Sequence, residues 1–144
     1  MADGILLDTD VLIDLARNSP RAPTWRPLVV DRIPIVCFVT VAELWKGAIL
    51  SRYGDERRRT LRATVTSLVV VPSTDDLAEE WARVVAEARS LGQALGGAEL
   101  GKNVHAHDAW IAATARLRDL PLLTGNRRHF EGLPGLVLVE HPSP

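Results

Sequence analysis

Five short apolar runs, ILLD (5–8), IPIVCFV (33–39), SLVVVP (67–72), LPLLT (120–124) and LVLVE (136–140), alternate with stretches of helical periodicity. That alternation constrains the chain more than any other feature. The helical stretches are Val11 to Arg17, Val41 to Ser51, Asp55 to Thr66, Asp75 to Leu91 and Asp108 to Leu120. Strands alternating with helices call for a mainly parallel sheet covered by helices on both faces, which is why the strands read as continuous apolar runs. The expected fold is α/β with a five-stranded sheet. At 144 residues the chain suits one domain spanning 1–144. The glycine-rich SLGQALGGAELGKN (90–103) reads as a mobile loop inside that domain.

With 47% apolar residues, 24% charged residues and a formal net charge of −1, nothing global announces a polyanionic partner. A local patch has to do that work. The one cysteine, Cys37, lies in an apolar run and has no intramolecular partner, so it reads as a small core residue in a reducing compartment. No run approaches the roughly 18 apolar residues of a membrane span, and no basic segment opens the chain. A soluble, unprocessed cytoplasmic protein is expected.

Acids recur where strand gives way to helix. Asp8 and Asp10 follow the first run, Glu43 follows the second, and Asp108 opens HDAWIAATA. Each has an ordinary structural explanation. Asp8 or Asp10 caps a helix, Thr40 and Glu43 match a capping box, and Asp108 suits a helix dipole. Thr124, Gly125 and Asn126 form a turn after the fourth run. What those explanations leave open is the recurrence, because ligands of open parallel sheets bind beyond the carboxyl ends of the strands. Carboxylates gathered there repel one another unless a cation enters. Hard oxygen donors favour Mg²⁺ or Mn²⁺, and such a site suits phosphodiester hydrolysis. His105 and His107 find no complementary ligands for zinc and read as loop histidines.

ILLDTDVLIDL, VTVAELWKG, DAWIAATA and LLTGNRRHFEGLPGLVLV, in that order, resemble the segments of PIN-domain ribonucleases, more narrowly the VapC-type toxins of bacterial toxin–antitoxin pairs. The resemblance implies a three-layer PIN-like fold, with Asp8, Glu43 and Asp108 binding Mg²⁺ or Mn²⁺ and Asn126 completing the catalytic set. Asn126 stands where many relatives have a fourth acid, with His129 just beyond it. Asp10 stands where relatives usually carry Asn or Ser, leaving it between the metal shell and a helix cap, and Thr124 supports the turn. The resemblance also implies a homodimer, a VapB-type antitoxin that threads into the acidic site, and tRNA or ribosomal RNA as substrate.

Arg58 and Arg62 share a helix face flanked by Arg52, Arg57 and Arg59, and together with Arg127 and Arg128 offer an RNA track. The alternative is a solvated helix face. Of the four tryptophans, Trp25, Trp45, Trp81 and Trp110, most are expected in the core, with Trp45 also suited to an antitoxin or dimer groove. Two rival functions stand beside the nuclease. A haloacid-dehalogenase-like phosphatase would use Asp8 as nucleophile, Asp10 as acid/base and Asp75 and Asp76 as its acid pair, yet it lacks the expected lysine. A catalytically silent PIN module would explain Asn126 but not the retained acids.

Overall fold

The computed structural model describes residues 3–91 and 106–142; most of the glycine-rich stretch, His105 and Lys102 lie outside them. The order of elements is β1 (Gly4–Leu7), α1 (Thr9–Arg17), α2 (Ala22–Val29), β2 (Ile33–Cys37), α3 (Phe38–Leu50), α4 (Asp55–Ser67), β3 (Val69–Val71), α5 (Asp75–Ser90), α6 (Ala106–Arg118) and β4 (Leu122–Leu123), followed by a 3-10 turn at Arg127–His129.

The strands are all parallel and lie in the order β3-β2-β1-β4, with Gly4 paired to Ile33, Ile35 to Val69 and Leu6 to Leu122. Side chains alternate across a strand. Leu6 and Leu122 therefore face α5 and α6, where Leu77, Val84, Ala109, Ile111, Ala112 and Ala113 are buried. Ile5, Leu7, Val36 and Leu123 face the opposite side, against Val11 and Leu12 of α1 and Trp25 of α2. Both faces are covered and the architecture is the expected α/β one. Burial of alanines along α6 lets that helix approach the sheet closely, because no long side chain holds it off.

Among the described residues the sheet has four strands, not five. LVLVE runs parallel to β4 but joins it through one bridge, Leu122 to Leu138, with hydrogen bonds from Leu122 N to Val137 O and from Val139 N to Leu122 O, both 2.9 Å. β4 is itself only two residues long, so its outer edge offers little ladder to extend. An additional helix, α2, lies in PRAPTWRP, where Pro23 and Pro27 disguise it. Pro27 costs one intrahelical hydrogen bond, and the fully buried Trp25 offsets that by anchoring the helix to the sheet.

α3 begins at Phe38 and is capped by Cys37, so the capping box at Thr40 and Glu43 does not form. The Thr40 hydroxyl is instead completely buried and lies 3.0 Å from that of Thr9. α4 buries no residue. Among the described residues no helix is long and apolar enough to cross a membrane.

Candidate active site

β1 ends at Leu7 and α1 starts at Thr9, which leaves Asp8 as the extended cap between them at the carboxyl edge of the sheet. Its side chain is 5% exposed. Oδ1 accepts from the Thr9 amide at 2.7 Å, and Oδ2 accepts from the Thr124 hydroxyl at 2.6 Å. Thr124 in turn accepts from the Asn126 amide at 2.9 Å, so the turn after β4 is tied to the end of β1. Burial, together with the charges of Asp10 and Asp108, pushes the Asp8 carboxyl up to about 7, against the pull of its two hydrogen bonds.

Glu43 lies in the second turn of α3, half-buried, 3.4 Å from His107 Nδ1, which forms no hydrogen bond. Burial raises its carboxyl and Asp108 adds to that, while His107, the Thr9 hydroxyl and Lys46 oppose the shift. Asp108, in the first turn of α6, meets His129 Nδ1 at 2.8 Å. The structure thus brings Asp108, from the first turn of α6, within electrostatic reach of both Asp8, after β1, and Glu43, on the helix after β2. Among the described residues, no three or more His, Cys, Asp or Glu side chains form a ready-made metal cage.

The other expected residues divide. Thr124 is in contact with Asp8. Asn126 joins through its backbone amide, and the residue as a whole is exposed. Asp10 is raised by burial against the pull of the Val11 amide and Arg21, its Oδ1 accepting from Val11 N at 2.8 Å. Arg127 is turned toward the end of the chain, bonding Val139 O at 2.9 Å and Glu140 at 3.2 Å. Arg128 is exposed near the site, while Arg58 and Arg62 sit on α4, Arg58 bonding the Tyr53 carbonyl and Arg62 lying over the Trp45 ring. Thr9, which sequence reasoning passed over, links Thr40 to Glu43; its place directly after Asp8 was the available signal.

Asp75 and Asp76 open α5 behind the Thr74 cap, after β3, two strands away from β1. They therefore stand apart from Asp8, and a phosphatase arrangement with Asp8 does not form.

Comparison with known proteins gives the same picture. A family model described as PIN domain matches residues 5–136. Ribonuclease VapC5 of Mycobacterium tuberculosis is 34% identical over 137 residues, covering 94% of this chain and 91% of the relative. The solved VapBC-5 of Mycobacterium tuberculosis, a member of the VapBC family of toxin-antitoxin systems, is similar with a TM-score of 0.64 at 27% identity, covering 94% of this chain and 98% of that one. Rickettsia felis VapBC2, solved bound to a DNA fragment from its promoter, has a TM-score of 0.73 at 18% identity, covering 96% and 99%, and likewise has the same fold. With acids at the starts of α1 and α6 and on α3, and a family match over nearly its whole length, this chain belongs to the PIN domain family, among its VapC-type members.

Proposed function

We propose that the chain is a metal-dependent endoribonuclease that serves as the toxin of a toxin–antitoxin pair. The observation that supports this most directly is Asp8, a nearly buried carboxylate whose neighbours Asp10 and Asp108 add negative charge. Such a cluster gains most from a divalent cation. Oxygen donors without a thiolate suit Mg²⁺ or Mn²⁺, and Asp8, Glu43 and Asp108 would hold the ion. When bound, it supplies a Lewis acid for the phosphate and lowers the pKa of the attacking water.

The remaining steps belong to the chain's own groups. Thr124 and the Thr9 amide keep the Asp8 oxygens aimed at the crevice. His129 orients Asp108. Asn126, at the rim, positions the substrate phosphate, with Arg128, Arg58 and Arg62 as the RNA track. Arg127 takes a different part, bracing the segment at Val139 and Glu140.

The partner is a VapB-type antitoxin. A groove of about 350 Å³ runs between α1, α3 and α4, lined by Leu12, Ile13, Leu44 and Leu61 with Glu43 on its wall. A helix laid in that groove would deliver its following residues to the acids. A homodimer of single-domain chains acting in the cytoplasm completes the proposal.

Cleavage of total RNA by the purified chain, with Mg²⁺ or Mn²⁺, with EDTA, and with Asp8→Asn, tests the function. Discrete metal-dependent fragments that vanish in the variant are expected. Intact RNA under every condition refutes the nuclease.

A further inference from the structure

Asp10 differs from the other acids in the company it keeps. Arg21, at the start of α2, acts on it as the nearby positive charge. The guanidinium lies 5.2 Å from the Trp25 ring centroid, and its Nε is 3.9 Å from Asp14 Oδ2. Trp25 is held in turn by its Nε1 donating to Asp14 Oδ2 at 2.8 Å. Asp10 Oδ2 and Arg21 Nε are both buried without a hydrogen bond of their own.

Gly125 is packed against both charged groups. A Cβ there would stand 2.5 Å from Arg21 Nη2 and 2.5 Å from Asp10 Oδ2. Real Cβ atoms essentially never come so close, so a side chain there would displace the ends of Arg21 and Asp10. On one side of Gly125 is Thr124, whose hydroxyl bonds Asp8 and whose carbonyl lies 2.8 Å from His141 Nε2; on the other is Asn126, whose amide bonds Thr124 Oγ1. His141 closes the arrangement edge-on to Trp25 at 4.8 Å.

We propose that Arg21 is a positioning residue: braced on Trp25 and Asp14, its guanidinium faces Asp10 across Gly125, and the two charged groups packed on that glycine fix the Thr124–Asn126 turn that orients Asp8. Asp10 is then a strut and not a metal ligand. Opposite charges packed against one glycine backbone hold that segment from two elements at once, α1 and α2. The catalytic consequence rests on the nuclease reading; the clamp itself does not.

The test joins RNA-cleavage kinetics to amide hydrogen exchange in Arg21→Met, Asp10→Asn, the double variant and Gly125→Ala. Each single change is expected to lower kcat about 10- to 100-fold with KM unchanged, as loss of a residue that orients a ligand does. The double variant should be no worse than the poorer single one, since one clamp is broken only once. Exchange at the Asn126 amide should speed up in every variant, and Arg21→Lys should recover part of both properties. Gly125→Ala keeps both charges and wedges them apart, so it decides the matter even where Arg21→Met fails to fold.

Multiplying losses, or unchanged exchange at Asn126, would overturn the proposal. A raised KM with kcat retained would also overturn it and make Arg21 an RNA phosphate contact. Should the wild-type chain cleave no RNA, the nuclease reading falls alone and the exchange data still decide the clamp.

Discussion

At the scale of the residue, Thr124 shows how little separates a structural hydroxyl from a functional one. It is 1% exposed, donates to Asp8 and accepts from Asn126, so Thr124→Val removes two hydrogen bonds without changing shape. Its bond favours ionised Asp8. Losing it raises the Asp8 pKa further, and a carbon-13 carboxyl titration should show Asp8 ionising at higher pH than in the wild type. RNA cleavage should fall and its acid limb move upward. Leaving the buried Asp8 Oδ2 without its donor adds about 1–3 kcal/mol of destabilisation, measurable by denaturant unfolding. The acids themselves were legible in the sequence because Asp8, Glu43 and Asp108 each follow or open a recognisable element. Their partners were not. Thr9 with Thr40, His129 with Asp108 and Thr124 with Asp8 join residues 31, 21 and 116 positions apart, and no local periodicity encodes such pairs.

Among the elements, those with a strong apolar rhythm were readable, and those that depend on tertiary contacts were not. α5 and α6 carry clear patterns, whereas α2 contains two prolines and earns its place through Trp25 packing beneath β1 and β2. The fifth run fails as a strand because the two-residue β4 leaves it one bridge. Two substitutions test these elements. Trp25→Ala should cost about 3–5 kcal/mol in denaturant unfolding, the loss of a fully buried large aromatic and the cavity it leaves. Ala112 is fully buried where α6 approaches the sheet, so Ala112→Leu forces helix and strand apart and should cost about 1–3 kcal/mol. Retention of wild-type stability by Ala112→Leu would mean that α6 is not closely seated.

At the scale of the whole molecule, the acidic crevice makes stability depend on pH. The Asp8 carboxyl keeps its proton in the folded chain up to about 7, while the unfolded chain releases it near the ordinary value of 3.8. A raised folded-state pKa stabilises fully below the unfolded value and is lost as pH rises through the folded one. Burial shifts Asp10 and Glu43 in the same direction, whereas Asp14, held by Ser19, Trp25 and Arg21, runs the other way. The melting temperature of the metal-free chain should therefore fall between about pH 4 and pH 7, at roughly 3–5 °C per kcal/mol for a chain of this size. Asp8→Asn should flatten that fall and melt higher than the wild type at neutral pH. Adding Mn²⁺ reverses the order, because an ion that binds only the folded state at a hundredfold excess over Kd stabilises it by about 2.7 kcal/mol. Thermal scans at pH 4 and pH 7, with and without Mn²⁺, check all of this. A wild-type melting temperature that is flat with pH and unmoved by Mn²⁺ would show that the acids neither repel nor bind as a unit. A fall with pH that Mn²⁺ reverses in the wild type alone would mean that the charge cluster is maintained for the ion, at the expense of the empty fold.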